Sequence, residues 1–184
     1  MTEKRNNELK FMFIVLVVAC VLFVYDVELY GDVFQFLALY LGIIILVYEK
    51  NIKRVIMLSI AAAFVVGVVY AIKFGFMQLA SHNTEYASIS LRPYAFNGIP
   101  RIKDYNGFPS GHTAAAFIAV GFALRFYSKR WIIFLALLAI LVPPSRVLTL
   151  WHTTIQVIAG GIFSLVITYS VLVVLQKIPY FRNA

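Results

Sequence analysis

Residues 109–126 read PSGHTAAAFIAVGFALRF. A short polar turn runs straight into an almost unbroken apolar stretch. Such a stretch reads as a helix crossing a bilayer, and its first turn carries backbone N–H groups with no helical partner. Ser110 suits the N-cap, and Gly111 lets a ligand approach the backbone closely. The free N–H groups and the positive end of the helix dipole form an anion site, with His112 at its mouth. An ordinary helix cap at a membrane interface explains the same residues, so this stretch does not choose between the two.

The rest of the chain has the same character. Of its 184 residues 62% are hydrophobic and 13% charged, against about half and about a quarter in soluble domains. The composition predicts an all-α integral membrane protein with one membrane-embedded domain over residues 1–184. The net charge is +8, with 16 Lys and Arg against 8 Asp and Glu. In a membrane protein that surplus marks cytoplasmic loops, and no nucleic acid partner is expected. One cysteine, Cys20, supports neither a disulfide framework nor a zinc site. The preceding V-V-A loosely resembles a lipoprotein cleavage site, but the apolar run continues through Val21-Leu22-Phe23-Val24.

A crossing helix needs about 20 mostly apolar residues. Six segments come close: 11–29, 33–49, 54–76, 111–128, 131–149 and 153–175. Tyr30-Gly31-Asp32 is expected to form a tight turn between the first two. The polar stretch 77–110 is expected to be a long periplasmic loop between helices 3 and 4, with a short interfacial helix. Six spans put both termini on one side. That side carries Lys4, Arg5, Lys10, Lys50, Lys53, Arg54, Arg125, Lys129, Arg130, Lys177 and Arg182, eleven bases against the acids Glu3, Glu8 and Glu49. The other side balances Lys73, Arg92, Arg101, Lys103 and Arg146 against Asp26, Glu28, Asp32, Glu85 and Asp104. The positive-inside rule places the termini in the cytoplasm. It puts the PSGH turn, the long loop and the stretch PPSRVLTLWH at 143–152 together on the outer face.

Those three pieces carry complementary chemistry. His112 and His152 are forty residues apart, two crossings, so both stand at outward-facing helix ends. Arg146 lies six residues before His152, at the apolar boundary, where an ionisable residue is a functional candidate. Arg92 and Arg146 offer planar forks suited to phosphate oxygens. Arginines, helix-start amides and two imidazoles are the parts that phosphoryl transfer needs. No Asp, Glu and His have metal-ligand spacing, so a route without metal or other cofactor is expected.

The chain resembles the membrane-embedded type 2 phosphatidic acid phosphatases, also called lipid phosphate phosphatases. Their signature is Lys-x6-Arg-Pro, Pro-Ser-Gly-His and Ser-Arg-x5-His-x3-Asp. Pro109-Ser110-Gly111-His112 matches in full, Ser145-Arg146 and His152 keep the five-residue gap, and Arg92-Pro93 matches the end of the first part. The resemblance implies that His152 attacks phosphorus and His112 protonates the leaving oxygen. It implies that Arg146, Arg92, Lys73, Ser110 and the Gly111 backbone cradle the phosphate. Two positions depart from the pattern. Glu85 replaces the first-motif lysine, for which Lys73 is the nearest substitute. Gln156 replaces the motif's final aspartate. A Gln carbonyl can accept the imidazole N–H and fix its tautomer, but it supplies no negative charge. Either Gln156 orients His152, or Asp104 or Glu85 reaches in from the loop. An aspartate at 156 is expected to preserve or raise activity.

The Pro-Ser-Gly-His-Thr form, the missing aspartate and the small size look most like the bacterial lipid A 1-phosphatase branch. That resemblance implies an inner-membrane enzyme with a periplasmic site, acting on lipid A or another membrane phospholipid. Phosphatidylglycerol phosphate and undecaprenyl diphosphate are the competing substrates. Tyr86, Tyr94, Phe96, Tyr105 and Phe108 could line a headgroup pocket or form an interfacial belt. A transporter, which would carry ionisable groups at mid-bilayer, and a non-catalytic lipid-binding relative are the rival classes. The oligomeric state is not readable from the residues.

Overall fold

A computed structural model describes residues 3–93, 95–96, 99–100 and 104–184. Eight α-helices are described: α1 Glu3–Tyr25, α2 Val27–Phe34, α3 Leu37–Ile44, α4 Ile52–His82, α5 Gly111–Phe126, α6 Lys129–Ile140, α7 Val142–Leu148 and α8 Thr154–Leu175. A π-helical turn, Ile45–Glu49, extends α3. Four helical stretches are long and apolar enough to cross a membrane: Arg5–Tyr25, Ile52–His82, Lys129–Leu148 and Thr154–Leu175. The bent pair α2 and α3, with its 46° break, makes a fifth if it is one span. The remaining expected span is α5, apolar but only 16 residues long, or about 24 Å against a hydrocarbon core of about 30 Å.

Helix α5 is the centre of the molecule. Nine of its residues are buried, from Thr113 to Ala123. In lipid, helix association depends on close packing more than on hydrophobic burial, so small residues set the contacts. A Cβ on Gly121 would lie 2.8 Å from Thr168 Cβ, and one on Gly160 would lie 2.5 Å from the Ser110 carbonyl oxygen. Helix α8 therefore lies against α5 along its length and touches the PSGH turn at its outer end.

The expected turn at Tyr30-Gly31-Asp32 is instead inside α2. The chain breaks earlier, at Asp26, whose carboxylate accepts from the Leu29 N–H at 2.9 Å and caps α2. Tyr30 points inward, stacks on Phe34 and donates to the Leu138 carbonyl at 2.7 Å. Gly31 is needed for close approach rather than for turning: a Cβ there would lie 2.1 Å from Arg146 Nη2 and 2.3 Å from Ser145 Oγ.

The third expected span ends at 76, but α4 continues to His82. Beyond it the described residues of the polar stretch hold a 3-10 turn, Ser88–Ser90, and a two-residue antiparallel pairing of β1 (Ala95–Phe96) with β2 (Ile99–Pro100), and among them there is no interfacial α-helix. Tyr94, Arg101 and Lys103 lie outside the described residues, as does the Phe96 side chain. The fifth expected span is present as Lys129–Leu148; within it Leu141 separates α6 from α7, where Pro143 and Pro144 remove two N–H donors.

Candidate active site

The Ser-Arg-x5-His spacing has a local backbone cause. Helix α7 ends in a residue of left-handed conformation, Leu150, with φ 56°. The chain then doubles back, and the Arg146 carbonyl accepts from both Trp151 N–H (2.9 Å) and His152 N–H (3.1 Å). Arg146 and His152 are thus held together by the main chain itself.

His152 is buried at 3% exposure. Its Nδ1 lies 3.1 Å from Gln156 Oε1. The orientation of the Gln156 amide is set by its other bonds, since Nε2 donates to the Ile89 carbonyl at 3.0 Å and to the Leu91 carbonyl at 2.9 Å. Oε1 therefore accepts, taking the Thr153 N–H at 3.1 Å as well. His152 carries its proton on Nδ1, and Nε2 keeps a lone pair. Burial pushes the imidazole far below its ordinary range, to about 3; Arg92, Lys73 and His112 add to that shift, and the Gln156 bond opposes it. His152 is neutral at pH 7, the state a nucleophile requires.

Gln156, itself 0% exposed, also stitches the long loop to the start of α8. The loop's two limbs are joined by Gly107 N–H to the Ser90 carbonyl (2.7 Å) and Arg92 N–H to the Asp104 carbonyl (2.9 Å). Asp104 pairs with Arg92 at 3.3 Å rather than reaching His152, and Glu85 sits in an exposed turn. Of the two alternatives for orienting His152, the geometry selects Gln156.

The cations converge. Lys73, 6% exposed near the end of α4, donates to the Asn106 carbonyl at 2.5 Å. Arg92 donates to the same carbonyl at 3.4 Å and lies over the Trp151 ring at 5.4 Å. Lys73 and Arg92 thus meet at one carbonyl although they come from different elements. Ser110 caps α5, its Oγ 3.5 Å from Thr113 N, and its own N–H donates to the Gln156 carbonyl at 2.9 Å. Apart from its chain neighbours and its own helix, no described residue comes within 4 Å of where a Gly111 Cβ would stand, which leaves room beside the start of α5.

Arg146 is 1% exposed. Its Nη1 donates to Asp32 Oδ1 at 2.8 Å, its Nε to Ser145 Oγ at 3.2 Å, and its Nη2 to the Glu28 carbonyl. Each terminal nitrogen carries a second N–H beyond those bonds. Asp32 also lies 3.3 Å from His112 Nε2. Sequence reasoning counted Asp32 and Glu28 only as balancing outer charge. The available signal was two acids placed at an apolar boundary, where ionisable groups are rare. Trp151 was missed too; its Nε1 donates to Glu28 Oε1 at 2.8 Å. Phe108, expected in a headgroup pocket or belt, instead packs edge-on against Phe76 and Phe163. Tyr86 is 71% exposed.

The contact at Gly31 has a testable consequence. Gly31→Ala should displace the Arg146 guanidinium, because its bonds to Asp32 and the Glu28 carbonyl draw it onto the same stretch of α2 that the new Cβ would occupy. Displacement of a phosphate-positioning group by about 1 Å costs about 100-fold in turnover. Phosphate-release assays should find that loss, with circular dichroism of the variant unchanged.

The arrangement is a set of lysine, arginine and helix-start donors around two histidines. Residues 56–180 match the PAP2 superfamily, and the chain belongs to it. It is similar to the lipid A 4'-phosphatase of Helicobacter pylori (strain J99 / ATCC 700824), 29% identical over 140 residues that make up 76% of this chain and 66% of that protein. No solved structure matches.

Proposed function

We propose that this protein is a membrane lipid phosphatase that removes a phosphate from a lipid headgroup at the periplasmic face of a bacterial inner membrane. The observation that carries the reading is the convergence of Lys73, Arg92, Arg146 and the α5 start around the imidazoles of His152 and His112. Membership of the PAP2 superfamily supports it. In this reading all six helical segments cross the bilayer, and the short α5 leaves His112 recessed below the outer surface. The outward orientation rests on the eleven bases of the opposite side.

The chemistry runs in two balanced steps. His152 Nε2 attacks phosphorus and forms an N–P bond while the P–O bond to the lipid breaks; the leaving oxygen takes the His112 proton. Water then attacks phosphorus, His112 recovers a proton from it, and inorganic phosphate leaves as the N–P bond breaks. The arginines, Lys73 and the Gly111 amide stabilise charge on the non-bridging oxygens.

Lipid A is the proposed substrate. The sequence pattern favours its 1-phosphate, whereas the named activity of the Helicobacter relative favours the 4'-phosphate. The two esters differ chemically: the first leaves from an anomeric carbon, the second as an ordinary secondary alcohol that needs a proton donor. Phosphatidylglycerol phosphate and undecaprenyl diphosphate are the alternatives. Purified protein assayed on all three lipids should release phosphate fastest from lipid A, and mass analysis of the product identifies the position. Among the described residues no three His, Cys, Asp or Glu stand together as metal ligands. Release should persist in EDTA, because the proposed nucleophile is an imidazole rather than a metal-bound water. Activity that vanishes with the chelator and returns with a divalent metal would overturn the metal-free mechanism, and no release from any of the three lipids would overturn the function.

A further inference from the structure

The carboxylate of Asp32 lies 3.3 Å from His112 Nε2 and 2.8 Å from Arg146 Nη1. It comes from α2, well before the three signature motifs and outside the residues that match the family. Its side chain is 48% exposed, so it covers the deeply buried guanidinium on the open side of the site.

The two histidines therefore have partners of opposite kind. His152 is held by the neutral amide of Gln156, His112 by a carboxylate. The other charges facing His112 are Arg146 on α7 and Arg92 in the loop, both positive. Without Asp32, the imidazole would have only cations for charged neighbours among the described residues. A nearby negative charge stabilises an imidazolium, and cations destabilise it.

We infer that Asp32 is the positioning residue of the leaving-group acid: it keeps the transferable proton on His112 and holds Arg146 beside it. The carboxylate that the family pattern attaches to the nucleophile is in this chain attached to the acid. The division of labour follows, with a nucleophile held by a neutral amide beside a proton donor that faces a carboxylate. This inference rests on the proposed phosphatase reading. In the first step the proton passes from His112 to the oxygen of the departing alcohol.

The test compares leaving groups within one variant. An alkyl phosphate, such as dioctanoyl phosphatidic acid, needs a proton as its P–O bond breaks, whereas p-nitrophenyl phosphate does not. General acid catalysis contributes about 100-fold or more. Asp32→Asn should lower kcat on the alkyl phosphate about 100-fold more than on p-nitrophenyl phosphate, whatever loss the two share through Arg146. The alkaline limb of the alkyl phosphate profile should move to lower pH in Asp32→Asn and be partly restored in Asp32→Glu. The ratio of the two rates does not depend on the fraction of variant that folds. An equal loss on both substrates would make Asp32 merely structural. An equal gain on both would mean that the carboxylate only obstructs the anion site, and either result overturns the inference. If the parent protein hydrolyses neither substrate, the phosphatase reading falls with it.

Discussion

His152→Ala is expected to abolish phosphate release and to leave the fold in place. The imidazole is the group with a free lone pair on Nε2, and no other described histidine has both burial and a proton fixed on the far nitrogen. Loss of a covalent nucleophile costs about 10⁴-fold or more in kcat. The truncation leaves little unpaired, since Gln156 Oε1 still accepts from the Thr153 N–H. Circular dichroism and gel filtration should match the parent while phosphate release falls to background. The pH dependence carries the same signature. With its imidazole held near pH 3, His152 is neutral above that value. Acidification from pH 7 towards 4 should not remove the nucleophile by protonation, whereas an ordinary imidazole would be mostly charged at the lower end. Full activity in His152→Ala would contradict the assignment.

Gln156→Asp should be damaging, contrary to the expectation drawn from the family pattern. The amide uses both ends: Oε1 accepts from His152 and Thr153, and Nε2 donates to the carbonyls of residues 89 and 91. Aspartate is one methylene shorter and, when ionised, donates nothing. It would leave two carbonyls unpaired, each at about 1–3 kcal/mol, and turn a fully buried carboxylate towards them. The loop that carries Arg92 would lose its tether to α8. We expect turnover reduced about tenfold to 100-fold and a lower midpoint of thermal unfolding, with the charge gained near His152 unable to compensate. Gln156→Glu keeps the reach but not the donors, and should lie between. A Gln156→Asp protein that is both stable and faster would show that the loop carbonyls find other partners.

The disagreement shows what was legible and what was not. The apolar segments and the start of α5 were readable because a bilayer requires long apolar helices and a capped first turn, and Ser110-Gly111 states the cap directly. Arg146 and His152 were readable because their spacing is local, closed by the Arg146 carbonyl. Gln156 looked like a weakened aspartate because its Nε2 partners lie 67 and 65 residues away in a loop with no recognisable pattern. Gly31 looked like a turn residue because the requirement it satisfies, close approach of Arg146, comes from 115 positions downstream. Asp32 was counted as surface charge for the same reason, since its two partners sit on α5 and α7. Short-range spacing survives in the sequence, whereas contacts between remote helices do not.

The central claim is that His152 takes the phosphoryl group onto its ring. Rapid mixing of the protein with ³²P-labelled lipid phosphate, followed by alkaline quench and peptide mapping, tests it directly. The account predicts transient label on the peptide containing His152, stable to alkali and lost in acid, and absent in His152→Ala. Turnover that proceeds with no labelled protein at any time, or with the label on another residue, would contradict it.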